Sequence, residues 1–215
     1  MGTSVARVVR VPTRHGDAVV HLHEAAQPRA VLALGHGAGG GVEAPDLVAV
    51  TARAVDDGVT LALVEQPYRV AGRRAPPRAP TLDAAWTDVV AHLRRDPAAV
   101  DLPLVVGGRS SGARVACRTA AATAAVGVVC LAFPVRPPTR PGGTERPSRL
   151  PELDAVDVPV LVVQGARDPF GMPPPGPRRT VVTVAGDHAL RGDLPAVSRA
   201  VGDWLAVLLG RWAAR

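Results

Sequence analysis

The run Leu102-Pro103-Leu104-Val105-Val106-Gly107-Gly108-Arg109-Ser110-Ser111-Gly112-Ala113 decides how the rest of this 215-residue chain is read. A short apolar strand leads into a glycine-rich turn, and the alanine-rich residues that follow, as far as Thr123, favour a helix. Gly108, Ser110 and Gly112 fit G-x-S-x-G, the pattern of a strained strand-to-helix turn that lifts a serine hydroxyl clear of the backbone. The glycines are needed for steric reasons, since a side chain at 108 or 112 would hold the helix off the strand and open the turn. With 22 glycines in the chain the pattern also arises by chance. Its context decides, and here a strand precedes it and a helix follows. Ser111 does not fit the role, because Arg109 would then stand where the first glycine is needed.

Strand and helix patterns alternate on both sides of this turn. Val5–Val11 and Ala18–His23 read as two opening strands that pair as a hairpin over Thr13–Asp17. Continuous apolar runs at Arg29–Gly35, Thr60–Val64, Gly127–Phe133, Val158–Gln164 and Thr180–Val184 suit strands covered on both faces. Helical spacing appears over Val42–Asp57, Asp83–Arg95 and Asp193–Ala213, the last with Trp204 and Trp212 as expected core anchors. Arg73–Pro80 is too rich in proline for a helix, and Pro134–Pro151 is a loop with six prolines. The alternation predicts one α/β domain over residues 1–215, with a mostly parallel sheet and helices on both faces. About two dozen residues separate the Gly127–Phe133 strand from the Val158–Gln164 strand, too few for a cap domain.

Composition narrows the function. The net charge is +6 and the pI near 11.0, yet all 25 cations are arginine, and the chain has no Lys, Asn or Ile. That is the mark of a GC-biased coding sequence. With three Trp, two Phe and one Tyr there is little to stack on bases, which argues against a nucleic-acid partner. No apolar run reaches 18 residues, and Arg7, Arg10 and Arg14 interrupt the N-terminal valines, so neither a membrane span nor a signal peptide is expected. Cys117 and Cys130 read as buried small hydrophobes in a reducing compartment, and a cytoplasmic protein follows. Two isolated thiols make no metal pattern, and no cofactor is expected.

In a parallel sheet the loops at the carboxyl ends of the strands share one edge, where ligands bind. Ser110, Asp168, His188 and the segment His36-Gly37-Ala38-Gly39 all fall there. A serine hydroxyl becomes a nucleophile when an imidazole takes its proton, and a carboxylate must hold that imidazole in the right tautomer. His188 and Asp168 supply both groups. Asp154 and Asp157 precede their strand and fall at the wrong end; Asp187 neighbours the histidine and points away from it. Donors for an oxyanion would be the backbone N–H groups of Ser111 and Ala38, with Gly39 as the fallback. Gly35, Gly37 and Gly40 also spell G-x-G-x-x-G, with Glu65 ending the next strand, which is a dinucleotide-binding alternative. It leaves Ser110, Asp168 and His188 unexplained. Arg69, Arg73, Arg74, Arg78, Arg136, Arg140, Arg146 and Arg149 lie in the two proline-rich loops expected to rim the site, where Tyr68, Arg73 and Arg74 are candidate substrate contacts.

Gly35-His36-Gly37-Ala38-Gly39, Gln66-Pro67-Tyr68 with Gly72-Arg73-Arg74, Gly107-Gly108-Arg109-Ser110-Ser111-Gly112, Gln164-Gly165-Ala166-Arg167-Asp168-Pro169-Phe170-Gly171 and Gly186-Asp187-His188 together resemble a compact α/β-hydrolase of the dienelactone-hydrolase-like group that includes the KANL3/Tex30-type family. The order Ser, Asp, His is that of α/β-hydrolases. The resemblance implies the hydrolase fold and the set Ser110, Asp168, His188. Departures are Ser111, where a larger residue is common, and Glu65-Gln66, where an aromatic is common. The expected function is hydrolysis of small esters, or related acyl bonds, through an acyl-serine intermediate, with a small acyl compound as the partner. The competing class is a non-catalytic module that keeps the fold and uses its arginine-rich rim to bind a partner.

Overall fold

A computed structural model describes residues 6–139 and 142–214. The elements in chain order are β1 (Arg7–Thr13), β2 (Gly16–His23), β3 (Ala30–Gly35), α1 (Pro45–Asp56), β4 (Val59–Glu65), α2 (Pro67–Val70), α3 (Ala79–Leu93), β5 (Leu104–Arg109), α4 (Ser111–Thr119), β6 (Gly127–Leu131), α5 (Leu150–Asp154), β7 (Val160–Gly165), β8 (Arg179–Val184) and α6 (Leu194–Ala213). Eight strands form one sheet in the order β1-β2-β4-β3-β5-β6-β7-β8. β1 and β2 make the expected antiparallel hairpin and β2 runs antiparallel to β4; every other pair is parallel. This is the α/β-hydrolase fold, with helices on both faces and, among the described residues, no cap domain.

The central strands are hydrophobic on both sides because each face is covered. Val106, Val128 and Val162 meet Trp86 and Val89 of α3 and Ala113 and Ala116 of α4. Val105, Val129 and Leu161 on the other face meet Leu47 and Val50 of α1 and Val201 and Leu205 of α6. Each of these large side chains, removed from water, contributes roughly 2 kcal/mol. Registers Gly35 to Gly108, Arg109 to Leu131 and Gly165 to Val184 bring the parallel strands to a common carboxyl edge.

The sequence reading departs from the structure at element ends. β5 runs on through Arg109, so the turn is confined to Ser110 itself. α3 opens at Ala79, earlier than Asp83, because Pro80 sits in the first turn, where its missing N–H costs nothing. Two short helices, α2 and α5, stand where loops were expected, each opened by a proline at its first or second position. Trp204 packs against the core, but Trp212 is 42% exposed in the last turn of α6 and is not a core anchor. The expected strand start at Val5 and the expected rim arginine Arg140 lie outside the described residues.

Candidate active site

Ser110 is the residue between β5 and α4, at φ 51° and ψ −104°. A non-glycine residue there is strained by about 1–3 kcal/mol, and crowding fixes it in place. A Cβ built on Gly108 would lie 2.6 Å from both the Gly112 carbonyl carbon and the Gly35 oxygen, so strand and helix touch backbone to backbone. The Ser110 N–H donates to Leu131 O at 2.8 Å, which ties the turn to β6.

His188 reaches this turn from the loop after β8. Its Nε2 lies 2.9 Å from Ser110 Oγ and its Nδ1 lies 2.8 Å from Asp168 Oδ2. With the Nδ1 proton directed at the carboxylate, Nε2 is free to accept the serine hydroxyl. The Asp168 side chain is 1% exposed. It accepts from the Phe170 N–H through Oδ1 at 2.8 Å and from Gln164 Nε2 through Oδ2 at 2.8 Å, so its lone pairs are used and its position is set. Gln164 Nε2 also reaches Phe133 O and Gly171 O, three acceptors that identify this end of the amide as nitrogen. The Phe170 ring covers the imidazole, centroid to centroid 4.2 Å. The loops carrying Asp168 and His188 are bound together by Arg167 N–H to Gly186 O at 2.9 Å and Ala166 N–H to Val184 O at 2.9 Å.

The loop after β3 passes beside Ser110. His36 is 3% exposed and braces it: Nε2 accepts the Gln66 N–H at 3.1 Å, and Nδ1 donates to Gly37 O at 2.8 Å. Burial lowers its pKa and keeps it neutral. The Tyr68 hydroxyl donates to Ala38 O at 2.9 Å, and burial raises the phenol's pKa, so the proton for that bond is retained. Ala38 is thus held through its carbonyl, on the opposite edge of the peptide from the next N–H. Among the described residues, neither the Ala38 nor the Ser111 N–H donates to another group.

The structure therefore brings together Ser110, His188 and Asp168, with Ser111 next in the chain and Gly37, the neighbour of Ala38, close to Ser110. Tyr68 supports the loop from behind. Arg73 and Arg74 are exposed; Arg73 lines, with Arg10, Tyr68 and Leu82, a cavity of about 520 Å³ whose wall does not include Ser110. A second cavity of about 460 Å³, walled by Gly37, Gly39, Ala44, Arg109, Ala189 and Arg191, adjoins the site. Of the other loop arginines, Arg136 pairs with Glu145 and Arg149 turns to Pro134 O, so solvated loop structure accounts for both. For the dinucleotide alternative, α1 would have to start on the glycines, but it starts at Pro45. Gly35 is needed instead because a Cβ there would crowd Trp86 at 3.3 Å and Gly112 Cα at 3.4 Å. Sequence reasoning quoted His36, Arg109, Gln164 and Phe170 within its motifs but gave them no supporting role, and it missed Asp46. The one available signal was polarity at apolar-phase positions, as for Gln164 at the end of β7 and Asp46 in the first turn of α1.

A profile of the alpha/beta hydrolase domain family matches residues 28–190. Among solved structures, Est1E from Butyrivibrio proteoclasticus is similar at a TM-score of 0.76 and 14% identity, covering 94% of this chain and 99% of its own. An alpha-beta serine hydrolase homologue from Coxiella burnetii has a TM-score of 0.74 at 12% identity, covering 95% and 100%. A protein from Xanthomonas campestris, described as a serine hydrolase without lid, has 0.69 at 19%, covering 95% and 96%. At such identities the likeness is one of fold. No curated protein matches the sequence.

Proposed function

The chain belongs to the alpha/beta hydrolase domain family, and from that premise we propose that it is a serine hydrolase cleaving small esters, or related acyl bonds, through an acyl-Ser110 intermediate. The observation that carries this reading is the single imidazole bonded at one nitrogen to Ser110 and at the other to buried Asp168. His188 Nε2 takes the hydroxyl proton as Oγ attacks the carbonyl carbon, while Asp168 stabilises the imidazolium through Nδ1–H. The carbonyl oxygen gains negative charge and is met by the N–H groups of Ser111 and Ala38, with Gly39 as the fallback donor for Ala38. His188 returns the proton to the leaving alkoxide, and the alcohol departs. A water then loses its proton to His188, attacks the acyl carbon, and the acid leaves as Ser110 regains its hydrogen.

The same reading extends to substrate size. Among the described residues the five-residue α5 is the one helix between β6 and β7, so no cap of helices is available to build an apolar tunnel for a long chain. The lidless site fits the dienelactone-hydrolase-like, KANL3/Tex30-type group. We assign Tyr68 to the wall behind the oxyanion loop, and Arg73 and Arg74 to the outer rim, where an acidic substrate group would meet positive charge. The whole chain is taken to fold as one domain and, with two buried free thiols, to work in the cytoplasm. The test is a series of p-nitrophenyl esters. Acetate and butyrate are expected to be turned over faster than laurate, and folded Ser110→Ala to turn over none. Failure of the wild-type protein on every short ester favours the non-catalytic module.

A further inference from the structure

The pattern residue between Gly108 and Ser110 is an arginine, and its side chain does not point to solvent. By the alternation of a strand, Arg109 shares a face with Val105, and that face is covered by α1. Its side chain is 18% exposed, and its guanidinium touches three segments at once. Nε lies 3.2 Å from Oδ2 of Asp46 in the first turn of α1. Nη2 donates to the backbone oxygen of His188 at 2.9 Å. Nη1 fills the space beside Gly37, where a Cβ would come within 2.9 Å of it. Asp46 is fully buried, and neither of its oxygens has an aligned hydrogen-bond partner among the described residues, so this guanidinium is the charge that compensates it.

We propose that Arg109 is a positioning residue: anchored on Asp46, it holds the main chain at His188 so that the imidazole stays against Ser110. This inference rests on the hydrolase reading of the site. The His188 loop needs such a hold, because it follows β8, the edge strand, whose single sheet neighbour is β7. Apart from the bond between the imidazole and Ser110, its other described hydrogen bonds run to the Asp168 loop, to the first turn of α6 and within itself. Arg109 is the described link from the main chain of that loop to the strand that carries the nucleophile. Arginine suits this role because its planar fork serves a carboxylate on one side and a carbonyl on another; the point charge of lysine serves one. Displacement of a reacting group by about 1 Å costs on the order of a hundredfold in rate.

Removing Arg109 alone would strand a buried carboxylate and destabilise the protein for that reason only. The informative variants are therefore the double substitution Arg109→Met with Asp46→Asn, and Arg109→Lys, which keeps the charge against Asp46 and loses the reach to His188. Three readouts apply: the melting temperature, kcat and KM on p-nitrophenyl acetate, and the downfield proton resonance of the His188 Nδ1–H. Both variants are expected to melt within a few degrees of wild type, with KM within about twofold, kcat lower by about 30- to 100-fold and the resonance broadened or lost. Either variant folded with wild-type kcat and an unchanged resonance overturns the inference, and leaves Arg109 as a structural partner of Asp46. Absence of turnover in the wild-type protein defeats the hydrolase reading instead, and the resonance alone then decides whether Arg109 orders the ring.

Discussion

Ser110 and His188 meet at one point, but they are held there by different forces. Ser110 is held by backbone sterics: Gly108, Gly112 and Gly35 leave no room for any other path, and the strained dihedral angles follow from that crowding. His188 and Asp168 stand on loops at the outer side of the sheet, where side-chain hydrogen bonds from Gln164 and the Phe170 backbone set the geometry. A site held by excluded volume is rigid and intolerant of added atoms. One held by hydrogen bonds loses precision by degrees as donors are removed.

The contrast is sharpened by substitutions on each side. The largest effect is expected for Gly108→Ala, whose methyl would meet backbone atoms that cannot rotate away. We expect a melting temperature lower by about 5–10 °C and ester turnover reduced more than a hundredfold. Wild-type turnover in that variant would show that the turn is not held by crowding. Gln164→Leu keeps the volume and removes donors to Asp168, Phe133 O and Gly171 O. Turnover should fall by about tenfold with little change in KM, and a greater loss than for Gly108→Ala would reverse the proposed ranking.

The smallest effect concerns His36. Burial lowers its pKa from the usual 6.5, so the unfolded chain binds the proton more readily. Stability from this residue is therefore complete above about 6.5 and is lost as pH falls through the depressed folded value. Thermal melts between pH 7.5 and 5.5 should decline more steeply for wild type than for His36→Gln, by a few degrees. Parallel slopes would remove His36 as the brace of the loop after β3.

The same contrast explains what could be read in advance. Crowded backbone requires glycine, and glycine at fixed spacing around Ser110 is visible in one dimension. Alternating apolar runs likewise exposed the sheet and its two covered faces, and the scarcity of residues between β6 and β7 excluded a cap. Asp168 and His188 were legible as polar residues at the ends of strands. The braces were not. Gln164 to Asp168 and Phe133, Tyr68 to Ala38, and Arg109 to His188 join residues whose pairing depends on three-dimensional packing, and a lone sequence carries no record of such pairs. Helix starts moved for a local reason: proline in a first turn opens a helix, although a proline-rich stretch reads as a loop.

The central claim, that one activated serine lies at the carboxyl edge of this sheet, is tested most directly by exposing the folded protein to a fluorophosphonate and mapping the adduct by mass spectrometry. A single adduct on Ser110, lost in Ser110→Ala and greatly slowed in His188→Ala, is the result expected. A folded protein that acquires no adduct, or one that acquires it at Ser111, would contradict it.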